Sequence, residues 1–195
     1  MHFISKCNDP GRFSGGALLC PGGGEHHGDA ATQPGRPRGL VHRRAEAQRA
    51  ELWRGDDEAL KLLRRLRSIK AFTPESVPQE TIDAILEVGR WSGSGSNKQP
   101  TEIVVVRDPE VRRQFAEWGA KPAGSAAAVL LILVANDGSA LDEGRLAERL
   151  GLAALACGLG STVATLKQEG PEAVKQLLGI PSHFRSVTVV AVGHT

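Results

Sequence analysis

The strongest constraint on this chain is an uninterrupted apolar run, Ala126–Ala135, with no polar side chain at odd or even positions. A strand with one wet face alternates; one that does not must be covered on both faces. The run is far shorter than the roughly 20 residues a membrane-spanning helix needs. Ala127–Ala135 is therefore predicted as a fully buried central strand.

Helical patterns flank it on both sides. Ala59, Leu62, Leu63 and Leu66 recur at i, i+3, i+4 and i+7, predicting an amphipathic helix over 57–70 capped by Asp56 or Asp57. Pro78 opens a second helix whose buried face is Ile82, Ile85, Leu86 and Gly89. Asp108-Pro109 caps and starts a third. A long helix over 141–159 lines up Leu146, Leu150, Ala153, Ala154 and Cys157, with small residues at 147, 151, 154 and 158 that admit a close backbone. Pro171 starts the last helix, and Gly179 ends it at a left-handed cap position. Strands are expected at 102–107, 161–166 and 187–192 as well. Helices interleaved with buried strands give an α/β or α+β sandwich, one sheet covered by helices.

This periodicity begins near residue 54. Nine glycines and four prolines crowd Met1–Gly39, a composition that cannot bury enough surface to offset its ordering entropy. Residues 1–53 are expected to be a disordered leader, with a short basic helix over 41–53, ahead of a domain at 54–195. No apolar h-region of a secretory leader precedes Cys20. Cys7, Cys20, His26 and His27 match no common zinc spacing, and no metal is expected. Three scattered cysteines fit a reducing compartment, so a soluble cytoplasmic protein is expected. The 24 basic and 22 acidic residues nearly cancel, which removes the usual electrostatic footprint of a nucleic-acid binder.

No Gly-x-Ser-x-Gly elbow or phosphate-binding P-loop is present. Gly158-Leu159-Gly160 ends a helix instead of opening one, and Cys157 reads as core, so no catalytic side chain is assigned. Two polar clusters remain. Arg64-Arg65-Leu66-Arg67-Ser68-Ile69-Lys70 gathers cations and a hydroxyl at a helix end, which suits either a solvated terminus or anion capture. Ser94-Gly95-Ser96-Asn97-Lys98-Gln99-Pro100 is either a polar loop or a set of amides matched to the edge of a planar heterocycle.

In this order the two clusters resemble the nitroreductase family of flavoproteins. The resemblance rests on Arg67-Ser68-Ile69-Lys70-Ala71-Phe72, Val77-Pro78, Trp91–Pro100, Gly158-Leu159-Gly160, Leu178-Gly179-Ile180-Pro181 and Val192-Gly193, and spans about 57–195. It implies an α+β fold, a central mostly antiparallel sheet flanked by helices, and a homodimer with one FMN at each end of the interface. It implies contacts to the flavin from Arg67, Ser68, Ile69 and Lys70, from Ser94, Asn97 and Gln99, and from Thr165 and Leu166 near N5. A cation at Lys70 would stabilise the anionic reduced ring. The chain departs from the family pattern at Leu66, Gly93 and Thr101, and it is expected to lack the family's C-terminal tail.

The resulting expectation is an oxidoreductase that passes hydride from NADH or NADPH through FMN to a nitroaromatic or quinone by a ping-pong cycle, without a protein acid or base. A family member that sequesters FMN without turnover is the alternative. A patch binding RNA or an acidic partner is a third reading, disfavoured by net charge. The first two require the basic hook and the amide-bearing bend to converge on one flavin.

Overall fold

The apolar run forms β3 (Ala128–Ala135), and the sheet is built outward from it. A computed structural model describes residues 3–5 and 58–195. The other strands are β1 (Phe3–Ser5), β2 (Thr101–Val106), β4 (Gly160–Thr165) and β5 (Phe184–Gly193), in spatial order β1-β2-β3-β5-β4. The pairs β2–β3, β3–β5 and β5–β4 are antiparallel, while β1 joins β2 in parallel. The sheet is thus mostly antiparallel and the fold is α+β.

Among the described residues, α1 (Glu58–Arg65) precedes the sheet layers, and four helices cover the sheet: α2 (Gln79–Arg90), α3 (Pro109–Glu117), α4 (Ala140–Ala156) and α5 (Gly170–Leu178). Because side chains alternate along a strand, β3 feeds two cores. Leu130, Ile132 and Val134 meet Ile82 and Ile85 of α2 and Leu146 and Leu150 of α4. Val129, Leu131 and Leu133 meet Phe115 of α3 and Val174 of α5. Each fully buried Leu or Ile stabilises the fold by about 1.5–3 kcal/mol. Gly89 is where α2 and α4 close together: a Cβ there would lie 2.9 Å from Leu150 Cδ2.

Helix ends follow their local chemistry. Asp108 caps α3, its Oδ1 accepting from the Glu110 and Val111 amides at 2.8 and 3.2 Å. Gly179 ends α5 at φ 62°, the left-handed conformation predicted for it. Pro78 sits one position earlier than expected, at the N-cap of α2.

Three differences from the sequence reading stand out. α1 stops at Arg65 instead of reaching 70, because residues 66–70 leave the helix to run beside β4; none of its residues is fully buried and Leu63 is 53% exposed. Cys157 is exposed, not core, since α4 ends at Ala156 and Cys157 occupies its C-cap. Phe3–Ser5 pairs with β2, where composition gave no strand. The rest of the leader, the cap at Asp56 or Asp57, and the Cys7, Cys20, His26 and His27 group lie outside the described residues. Among those described, no helix is long and apolar enough to cross a membrane.

Candidate functional site

The chain leaves α1 and turns into an extended segment along the open edge of β4. Ser68 pairs in parallel with Ser161, and the Ile69 amide donates to the Ser161 carbonyl at 2.9 Å. Ile69 lies over Gly160, where a Cβ would meet its Cγ1 at 2.8 Å. This docking covers the start of an otherwise bare edge strand. It also fixes the polar groups. Ser68 Oγ lies 2.5 Å from Thr162 Oγ1 and accepts from Lys70 Nζ at 2.9 Å. Arg67 Nη1 turns back to the Arg64 and Leu66 carbonyls, both at 2.7 Å, where a cation complements the free carbonyls of a helix end. Two cations and two hydroxyls are held together by an edge strand.

A cavity of ≈ 270 Å³ opens beside this hook, lined by Leu66–Ser68, by Ala147, Glu148 and Gly151 of α4, and by Ser161–Val163 of β4. Gly151 gives it depth: a Cβ there would sit 3.3 Å from Ser161 Oγ. The donor set suits a phosphate, since charged donors and hydroxyls bind oxyanions well. Glu148 is the exception, an anion on the same wall.

The second cluster is a tight bend ending in a 3-10 turn at Gly95–Asn97. Ser96, Asn97 and Gln99 all adopt positive φ, at 50°, 54° and 51°, a strained conformation that surrounding bonds must maintain. Ser94 Oγ accepts from the Gln99 amide at 2.8 Å, and Gln99 Nε2 donates to Asn97 Oδ1 at 3.3 Å. The anchor is Asp142, 7% exposed, whose two oxygens accept from the Gly95 amide at 3.2 and 3.1 Å. Arg145 lies 3.7 Å from the same carboxylate and packs under Gly93. Arg149 Nη1 donates to the Trp91 carbonyl at 2.8 Å.

Hook and bend do not converge within one chain. The bend is held by 142, 145 and 149 of α4, an i, i+3, i+7 row, whereas the hook cavity uses 147, 148 and 151. At 3.6 residues per turn these are opposite flanks of the helix. The ridge between them carries exposed Leu141 and half-buried Leu152. No bend residue lines the hook cavity.

Of the remaining expected site residues, Thr165 is exposed at the end of β4, opposite Thr188. Leu166 is buried in the α3/α5-side core and offers the site only backbone. Sequence reasoning missed Thr162, Glu148 and Asp142. Nothing local marks them, because each acts through a partner distant in sequence.

A mostly antiparallel sheet of this order, helix-covered on both faces and with a cationic hook on its edge strand, defines an α+β sandwich. The Nitroreductase family model matches residues 63–135. A protein of Archaeoglobus fulgidus named "Putative NADH dehydrogenase/NAD(P)H nitroreductase" is 31% identical over 149 residues, 71% of this chain and 86% of the relative. An FMN reductase (NAD(P)H) of Bacillus subtilis is 25% identical, over 71% of this chain and 66% of its own. The crystal structure of a Bacteroides thetaiotaomicron protein of the same name as the archaeal relative superposes with TM-score 0.66 at 25% identity, covering 71% of this chain and 86% of that one. The chain belongs to the nitroreductase family of oxidoreductases.

Proposed function

We propose that this chain is an FMN-dependent NAD(P)H oxidoreductase, working as a homodimer in the cytoplasm. The carrying observation is the hook: Arg67, Ser68, Lys70 and Thr162 gathered on the β4 edge beside a cavity. At ≈ 270 Å³ that cavity is smaller than the ~300–1,000 Å³ typical of small-molecule sites. It fits the phosphate end of FMN and leaves the ring to be covered from elsewhere. The bend of a second copy, brought in by packing along the apolar ridge of α4, is the natural cover. On this reading Ser94, Asn97 and Gln99 of one protomer complete the hook of the other.

The protein's own part is binding and orientation. Arg67 neutralises the phosphate, Ser68 and Thr162 direct hydroxyls at it, and Lys70 places positive charge beside the ring. Asp142 holds the bend so that its amides present a fixed edge. When bound, FMN supplies two-electron chemistry between a nicotinamide donor and an acceptor such as a nitroaromatic or quinone. That chemistry would serve donor and acceptor in turn, a ping-pong order, and no side chain of this chain need act as acid or base. Residues 54–195 carry this domain.

Purified protein is expected to be yellow, with FMN identified after denaturation, and to bleach anaerobically with NADH or NADPH. Colour that resists both donors supports sequestration without turnover, a reading favoured by Glu148 on the phosphate wall. Colourless protein that cannot be loaded with FMN refutes both.

A further inference from the structure

A second and larger cavity, ≈ 490 Å³, lies away from the hook, between the segment 72–77, the end of β2, α3 and the short 3-10 turn at Lys121–Gly124. Arg107 and Arg112 both line it, and neither forms an ion pair with another described residue. Arg107 is fastened by one nitrogen, Nη2 donating to the Val77 carbonyl at 2.9 Å, while its Nε is buried with no protein acceptor. Arg112 is fastened at the other end: Nε donates to the Arg107 carbonyl at 3.2 Å, leaving the fork unpaired. Burial pulls Arg112 below the usual arginine value, with the charge of Asp108 acting in the opposite sense. The buried, unpartnered Nε of Arg107 and the partly desolvated fork of Arg112, whose opposing charge is Asp108, are costly unless an acceptor reaches them.

The remaining lining defines what that is. Thr73, Ser76 and Ser125 add hydroxyls, and Ser125 Oγ is fixed by the Phe72 amide at 3.2 Å. Phe72, Val77, Ala126 and Ala127 make an apolar wall. Glu75 also lines the space, but its carboxylate lies 3.6 Å from His194 Nδ1, and Asp108 accepts from the first turn of α3. The volume falls within the ~300–1,000 Å³ of small-molecule sites and exceeds what a bare inorganic ion needs.

We propose that the cavity walled by Arg107, Arg112 and Phe72 is a second ligand site, which takes a small organic oxyanion: a phosphate or carboxylate on an apolar body. Guanidinium forks bind such groups in bidentate fashion, and the apolar wall selects the body. The site is independent of the flavin reading, because the hook lines a different cavity.

The probe is phenyl phosphate, titrated by calorimetry into the protein as purified with its flavin. Expected is one site per chain, with inorganic phosphate and phenol each binding at least about tenfold more weakly, since each lacks half of the recognition. Arg112→Gln is expected to weaken phenyl phosphate at least about tenfold. Ser76→Glu, which removes no described hydrogen bond, sets a carboxylate in the cavity and is expected to abolish binding even if Arg112→Gln fails to fold. Lys70→Ala is expected to leave it unchanged. The proposal is overturned by phenol binding as tightly as phenyl phosphate, by wild-type affinity in Ser76→Glu, by loss in Lys70→Ala (which would assign the anion to the hook), or by no binding at about 10 mM probe.

Discussion

Lys70 reaches Ser68 Oγ at 2.9 Å, so its ammonium is directed along the hook instead of trailing into solvent. In the proposed site, removing that charge from beside a ring that becomes anionic on reduction would disfavour the reduced state. Lys70→Ala is expected to lower the midpoint potential by some tens of millivolts, the scale of a partly screened charge, and to slow reduction by NAD(P)H. Spectroelectrochemistry and anaerobic stopped flow read the two effects, and an unchanged potential would remove Lys70 from the site. Asp142 acts at a distance. Asp142→Ala leaves the Gly95 amide and Arg145 without their shared acceptor, which costs about 1–3 kcal/mol. Urea denaturation should register that loss, with faster flavin release as the strained bend relaxes; Asp142→Asn, which keeps an oxygen for Gly95, should recover part of both. The two residues also mark what the sequence could disclose. Lys70 lies in a local run of cations and is visible as a candidate. Asp142, in the first turn of a helix, reads as an ordinary dipole complement, and its partner is 47 residues away.

Among the elements, those with a strong period and a chemical stop were legible to within a few residues: β3 from its unbroken apolar run, α3 from Asp108-Pro109, α5 from Pro171 and Gly179. The misreadings occur where tertiary pairing overrides local pattern. The apolar positions 62, 63 and 66 suggest one helix to residue 70, but pairing Ser68 with Ser161 ends it early, and that ending creates the hook. Phe3–Ser5 escaped notice because three residues carry no period. Its position yields a prediction about the leader. β1 and β4 are the opposite edges of the sheet, and the hook is on β4. Deleting residues 1–53 removes one short edge strand, expected to cost about 1–3 kcal/mol through a few backbone hydrogen bonds, while flavin content per chain stays at the full-length level. Loss of flavin in the shortened protein would place part of the site in the leader.

For the whole molecule, the question is which chain covers the flavin, and the geometry of α4 allows a direct test. Hook and bend occupy opposite flanks of that helix, so neither closes over the other's ligand within a protomer. In the proposed dimer, a two-fold axis along the ridge of Leu141 and Leu152 would set the same patch against itself, and each hook would then meet the partner's bend. Sequence alone could not reach this. It places both motifs within 33 residues of each other, which suggests one cleft, whereas their flanks are fixed only when α4 packs on the sheet. Take Ser68→Glu, which spoils the hook, and Ser94→Ala/Asn97→Ala, which spoils the bend; each alone is expected to lose flavin. Mixed and re-associated in equal amounts, half of the dimers are heterodimers. Every heterodimer then pairs one intact hook with one intact bend, and flavin should return to roughly a quarter of all sites. If hook and bend served the same flavin from a single chain, every site in the mixture would still carry one lesion and no flavin would return.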